Sequence, residues 1–461
     1  MRQRKSETRP YAERTLTVTS KLERFTAMAR ENPGMRFNAL MGLLFDPEGL
    51  RESFERQDGR KAPGVDGVRK EDYAAGLDAR LEDLSARIRR LGYIPKPVRR
   101  TYIPKGDGRY RPLGVPSFED RLVQDRLSRI LQGLWEPEFR DCSYGFRPGR
   151  SAHDALRRVA EVITNEGTQW VVEADIKGFF DHLSHSHLLE FLGHRLADPN
   201  LIRIVQRFLK AGVMEDGAFT ASEEGAPQGG LVSPVLSNIY LHYVLDLWFE
   251  KRFARGCTGS AFLIRYADDY VACFEHEADA RAFLTAMSER LAHFDLEVEP
   301  SKTALLPFGS RCLGRADREV GGPRTFSFLG FTHYVGRSRT GRFVVGRKTD
   351  GKRVRKKLKL LGERLDALRA HGGAAMVTYL IRHLRGHIQY YGVSGNSRGV
   401  AGYVYFAAAL LFKWLNRRSQ RRSLTWKRFT ERLRPLLPKV RIVHDLYPVP
   451  RWKTQAGSRM V

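Results

Sequence analysis

Cysteine is scarce: Cys142, Cys257, Cys273 and Cys312 are the only four in 461 residues, and none forms a CxxC pair. That spacing indicates neither a zinc knuckle nor a disulfide framework, so reduced thiols are expected. Long hydrophobic runs are also missing. The best, Tyr403 to Phe412, stops at Lys413 after ten residues, short of the roughly 18 a membrane span needs. No membrane partner is expected. Met1 to Arg14 is polar and basic with no apolar stretch behind it, which is not a secretory pattern, and the chain is expected to stay in the cytoplasm. What is present is enough to fold: 42% apolar and 28% charged residues are globular values, and the length suggests about three packing units.

Acid is short at one end only. From Arg337 to Val461 there are 30 Lys and Arg against 5 Asp and Glu, whereas the first 336 residues carry 49 against 47. The total of +27 favours a polyanionic partner through counterion release. A membrane surface or a merely solvated face would also tolerate such charge. The basic end, however, contains helix-period stretches at Val354 to Leu368, Met376 to Tyr391 and Tyr403 to Leu415, with Tyr390, Trp414, Trp426 and Phe429 among the bases. Such a segment folds, with Trp414 and Trp426 read as core, and aromatic interleaving favours nucleic acid. RNA and DNA are not separable on this ground.

Along the balanced part, Ser20 to Glu55 is helical in pattern, and Gly59 to Gly67 is a loop. Tyr73 to Leu91 returns to helix, and Ile94 to Pro116 reads as a basic strand pair around a Gly-Asp-Gly turn. Helices are predicted over Phe118 to Trp135, His153 to Thr164, Ser186 to Leu196, Asn200 to Ala211, Ser233 to about Arg252, and Ala278 to Phe294. Gln169 to Phe180 begins as a β-branched strand that ends at an acid, and Ala261 to Phe274 reads as a hairpin with Asp268-Asp269 at its tip. Leu296 to Leu306 and Phe326 to Tyr334 are strand-like.

The acids in those strands carry the chemistry. Asp175 and Asp268 lie 93 residues apart, and a sheet aligning their strands would gather three carboxylates that repel unless a cation lies between them. Phosphoryl transfer uses such a site, where two Mg2+ ions about 4 Å apart activate a hydroxyl and stabilise the leaving pyrophosphate. Asp is also an ordinary hairpin-tip residue. Against that, both acids interrupt apolar strands, where an unpaired charge costs several kcal/mol. His182, His185 and His187 form HxxHxH, but no carboxylate or Cys partner is evident, so polar surface is the simpler reading.

The order of motifs resembles bacterial group II intron-encoded reverse transcriptases, also called maturases. The carrying segments are APGVDGV (Ala62 to Val68), YIPKGDGRYRPLGVP (Tyr102 to Pro116), YGFRPGRSAHDA (Tyr144 to Ala155) and ADIKGFFDHL (Ala174 to Leu183). They continue with GAPQGGLVSPVLSNIYL (Gly225 to Leu241), RYADDYVACF (Arg265 to Phe274), PSKT (Pro300 to Thr303), FSFLGF (Phe326 to Phe331) and the maturase-like LNRRSQRRSLTWKRF (Leu415 to Phe429). Together they cover about residues 20 to 447.

The resemblance implies an α+β right-hand polymerase: an N-terminal extension over 1–68, fingers and palm with an antiparallel palm sheet over 69–335, an α-helical thumb/maturase domain over 336–447, and a tail over 448–461. It implies that Asp175, Asp268 and Asp269 are catalytic, that they and the Ile176 carbonyl hold two Mg2+ ions replaceable by Mn2+, and that Phe180 is the gate against ribonucleotides. Lys105 and Arg111 would clamp the triphosphate, and Gln228 would lie against nucleotide and template. Lys302 would lie near the site, as a proton donor or as a surface lysine. Arg147 and Arg150 would touch template backbone or cap the following helix. Arg417, Arg418, Arg421, Arg422, Lys427 and Arg428 would bind RNA.

Expected partners are group II intron RNA, an RNA template with its DNA primer, target DNA and dNTPs. The setting would be the bacterial cytoplasm, nucleoid-associated. The absence of CxxC matches the short branch without an endonuclease domain. Two alternatives stay open: a splicing cofactor with a dead polymerase, and a domesticated enzyme of DNA repair or phage defence.

Overall fold

Helix Phe118–Trp135 starts where the Ser117 side chain accepts from the Asp120 N–H, the N-cap geometry that satisfies one of the free amides of a first turn. Its apolar positions are buried along its whole length, from Phe118 to Trp135. The computed structural model describes residues 11–104, 110–226, 229–313, 325–417 and 424–448, with side chains from residue 21 onward. Among these, no helix is long and apolar enough to cross a membrane. The chain divides into two discontinuous compact units.

The first unit comprises Met1–Gly149, Ile176–Arg255 and Thr285–Glu299. Phe118–Trp135 is its hub, with Tyr11–Glu31, Pro47–Arg56 and Ser233–Leu241 packed on it. The basic strand pair forms as expected, Val98–Pro104 antiparallel to Tyr110–Val115, and Val98–Pro104 also pairs in parallel with Val213–Glu215. The latter makes a tight hairpin with Ala218–Thr220. One long helix was expected from Ser233 to about Arg252. The α-helix ends at Leu241 and is followed by π-helical turns over His242–Asp246 and Phe249–Phe253. The Arg290 guanidinium donates to the Tyr243 and Val244 carbonyls beside them, at 3.1 and 3.0 Å, which satisfies acceptors inside that irregular stretch.

The second unit comprises Arg150–Asp175, Gly256–Leu284 and Pro300–Val461. Its central sheet is four-stranded and wholly antiparallel, in the order Ala261–Tyr266, Asp269–Phe274, Trp170–Asp175, Ala304–Pro307. Val171, Val172, Val271, Ala272 and Cys273 are fully buried, so the two middle strands are covered on both faces. Helix Ala152–Asn165 packs on the Ala261–Tyr266 strand. A three-stranded sheet, Thr325–Phe328, Phe331–Arg337 and Phe343–Thr349, leads into helices Gly351–Ala367, Gly373–Tyr391, Ser397–Asn416 and Trp426–Arg432. Those helices share one core of Leu361, Leu365, Met376, Leu380, Leu384, Tyr403, Leu411 and Phe429. Trp414 packs against that core as expected, but Trp426 is 38% exposed.

Candidate active site

Strand Trp170–Asp175 sits between two neighbours, so its register is determined twice. Its last residue, Asp175, is the cross-strand partner of Asp269. On the other edge Tyr266 pairs with Asp269, leaving Ala267-Asp268 as a two-residue turn. Ala267 is buried with a φ of 58°, a conformation that costs a non-glycine residue about 1–2 kcal/mol. Arg265, itself fully buried, donates from Nη1 to the Ala267 carbonyl at 2.9 Å. The tip that carries Asp268 is therefore held in its strained shape by a buried guanidinium.

Charge repulsion follows from that register. The Asp269 carboxyl is pushed up to about 6 by burial, with Asp268 and Asp175 adding to it and Arg353 and Lys302 opposing. Glu173, two residues before Asp175, is pushed up to about 7 by burial first and then by Asp269 and Asp175, despite accepting from the Ser327 N–H at 3.1 Å. The ammonium of Lys302 forms an ion pair with Asp175. All of these groups belong to the second unit. Among the described residues no three His, Cys, Asp or Glu side chains are already gathered around one point as ligands. A lysine occupies the carboxylate a cation would take. The donor set still fits a hard divalent cation, being carboxylate oxygens that the sheet register brings to one end of the hairpin.

Of the expected nucleotide-binding residues, Arg111 and Phe180 fall in the first unit. Phe180 is half-buried, edge-on to Phe179 at 5.3 Å, while Phe179 is core and meets Tyr240 at 6.2 Å. The Ala226 N–H donates to the Phe180 carbonyl and the Gly225 N–H to the Leu183 carbonyl, both at 2.8 Å. Gly225, at φ +80°, lies so close that a Cβ would sit 2.8 Å from the Phe180 and Asp181 carbonyls. At Gly229, φ +111°, a Cβ would sit 2.5 Å from the carbonyl of Gly114 on the Tyr110–Val115 strand. Gly225 is thus pressed against the Phe180 turn, and Gly229 against the strand that bears exposed Arg111. Ile176 is buried and bridged to Val298. Lys105 and Gln228 lie outside the described residues.

Arg147 has a different task from the RNA contact expected of it. It is buried, and its five N–H donors go to Glu136 and to the carbonyls of Arg140, Ser143 and Phe139. No donor is left for phosphate. Arg150 is half-exposed ahead of helix Ala152–Asn165, which is capped by Ser151 rather than by either arginine. His182, His185 and His187 take separate partners: Glu224 at 3.5 Å, the Gly225 carbonyl at 2.7 Å, and Glu190 with Asp295 at 3.8 Å. Of the basic candidates near the C-terminus, Arg417 lies 5.3 Å from the Trp414 ring centroid, and Lys427 and Arg428 are exposed. Arg418, Arg421 and Arg422 lie outside the described residues.

Sequence reasoning missed Glu173, Arg265 and Arg353. The first was within reach, because position i−2 on a strand shares the face of Asp175.

Comparison with known proteins gives these residues a context. A family model described as reverse transcriptase (RNA-dependent DNA polymerase) matches residues 103–333. Protein YkfC of Escherichia coli (strain K12) is 37% identical over 246 residues, which are 52% of this chain and 64% of that protein. Group II intron-encoded protein LtrA of Lactococcus lactis subsp. cremoris is 36% identical over 232 residues, 49% of this chain and 38% of that protein. Nuclear intron maturase 2, mitochondrial, of Arabidopsis thaliana is 27% identical over 175 residues, 29% and 23% of the two chains. The chain therefore spans less than two thirds of the length of each of these relatives.

Proposed function

The chain belongs to the reverse transcriptase family, and from that premise we propose that it is an RNA-directed DNA polymerase. It copies intron RNA into DNA from a DNA primer, and it binds that RNA to assist splicing and mobility. The reading rests on one relationship above the others: Asp175 paired across strands with Asp269, and Asp268 in the turn between the two hairpin strands. The wholly antiparallel sheet that carries these acids is the palm of the right-hand α+β fold that family membership implies. We assign fingers and palm to 69–335 and the thumb/maturase region to 336–447.

With two divalent cations bound, Mg2+ in the cell, the site gains the means to activate the primer 3′-hydroxyl and to stabilise departing pyrophosphate. Asp175, Asp268 and the Ile176 carbonyl would hold those ions, with Asp269 the third acid, and Lys302, which is paired with Asp175, would have to give up that carboxylate to them. Phe180 fills the space a ribose 2′-hydroxyl would need, Arg111 and Lys105 bind the triphosphate, and Gln228 lies against the incoming nucleotide and the template. Arg417, Arg418, Arg421, Arg422, Lys427 and Arg428 form the surface for intron RNA, with Arg150 on the template.

Primer extension on an RNA template in Mg2+ tests the assignment. Asp268→Asn should fold like wild type and lose more than about 100-fold in rate, beyond the 10–100-fold typical when only an outer partner of a metal site is removed. Equal synthesis by the two proteins would refute the metal assignment.

A further inference from the structure

Helix Gly373–Tyr391 contains a glycine that its own geometry does not require. Gly386 has no positive φ, and a Cβ built on it would meet nothing within 4 Å. Glycine in a helix interior weakens the helix, and here it leaves the helix backbone open to close approach from outside. Gly386 lines a cleft of about 600 Å³.

The other wall is the chain from Pro438 to Arg441. That segment is pinned at both ends. Leu437 is buried in the helical core, and beyond the cleft the Val443 and His444 N–H groups donate to the Gly392 carbonyl, at 2.6 and 3.1 Å. His444 Nε2 meets the Gln389 carbonyl at 2.9 Å. Into the cleft come Arg385 from the helix and Lys439 and Arg441 from the segment, all three exposed, while half-buried Pro438 supplies apolar surface, buried Ile388 lies at the floor and Gln389 adds an amide. No acid lines it.

We infer that this cleft binds a stretch of single-stranded RNA, phosphates on Arg385, Lys439 and Arg441 and a base against Ile388 and Pro438, entering over Gly386. Three cations beside an apolar wall match the two parts of a nucleotide, and the region from Arg337 onward carries the chain's charge excess. The inference rests on the reading of this half as an RNA surface and adds a particular site to it.

The test uses the full chain and a fluorescein-labelled oligoribonucleotide carrying 4-thiouridine. Irradiation followed by mass spectrometry should place an adduct within residues 385–389 or 438–441. Gly386→Leu should keep the wild-type Tm, abolish that adduct and weaken binding about tenfold, the effect of one lost base contact. Replacing Arg385, Lys439 and Arg441 by Ala should reduce the salt slope of binding by up to about two, at about 0.7 per phosphate contact on a single strand. RNA that binds wild type and Gly386→Leu equally, with adducts elsewhere, overturns the cleft while the general reading stands. Wild type that binds no RNA overturns both. Polyglutamate that protects the cleft better than RNA would make it an acidic-peptide surface and also overturn the inference.

Discussion

Asp175 and Asp269 are direct cross-strand partners in the antiparallel pair Trp170–Asp175 and Asp269–Phe274, so their side chains project from the same face of the sheet. Like charges so placed oppose folding unless something neutral or positive answers them. Here three answers are visible: Lys302 on Asp175, Arg353 facing Asp269, and the raised pKa values of Asp269 and Glu173. The first and the last have measurable consequences.

The raised carboxyls give stability a sign with pH. Asp269 moves from 3.8 to about 6 and Glu173 from 4.5 to about 7, so the folded state holds these protons more tightly than the unfolded one. The penalty is absent below the unfolded values, grows between about pH 4 and 7, where the unfolded groups are ionised while the folded ones keep their protons, and is complete above that window. In EDTA the Tm should fall across it more steeply for wild type than for Glu173→Gln combined with Asp269→Asn. Added Mg2+ should restore more at pH 8 than at pH 5. A wild-type curve parallel to that of the double variant would count against the coupling.

Lys302 and a cation compete for one carboxylate. The lysine side chain is 62% exposed, which limits the pair to about 0–1 kcal/mol. Lys302→Met should therefore tighten Mn2+ binding to the metal-free protein by no more than about fivefold, read by calorimetric titration. Unchanged or weaker binding would mean that the ammonium is not in the cation's place.

How far the fold could be read from sequence depended on whether the signal was local. Helix Phe118–Trp135 was legible to the residue because Ser117 caps it and its apolar period is unbroken. The hairpin around Asp268 was legible because β-branched and aromatic residues flank the turn. The strand expected over Leu296 to Leu306 shrinks to Ala304–Pro307, since the 3-10 turn Pro300–Lys302 interrupts it and leaves Val298 with a single bridge to Ile176. The hairpin Val213–Glu215 with Ala218–Thr220 was missed although its signal was present: Asp216-Gly217, both at positive φ, is the sequence a type I′ turn selects. Arg147 could not be read at all. Which of its donors are spent depends on Glu136 and three carbonyls that only the fold brings round it.

Arg265 holds the turn that carries Asp268. Its guanidinium is fully buried and donates to the Ala267 carbonyl, so Arg265→Lys keeps the charge and loses the planar fork. Primer extension should drop about 10–100-fold, the usual effect of removing a supporting partner, while the KM for dNTP moves little and the half-saturating Mg2+ concentration rises. A fall in Tm with unchanged metal dependence would make the residue structural only.

The last consequence concerns sugar selection at Phe180. Phe180 could be read as a gate or as a plain core aromatic, and its neighbour takes the core place: Phe179 is buried against Tyr240, whereas Phe180 is half-buried beside the carbonyl-anchored Gly225. Phe180→Val removes a ring without emptying the core, so folding should survive. Discrimination between deoxynucleotides and ribonucleotides should fall by at least about tenfold, which is 1.4 kcal/mol, with dNTP incorporation changed less. Single-nucleotide extension with dCTP and CTP measures both. Unchanged discrimination would take the gate away from Phe180. Loss of dNTP incorporation alone would make the ring a floor for the base instead.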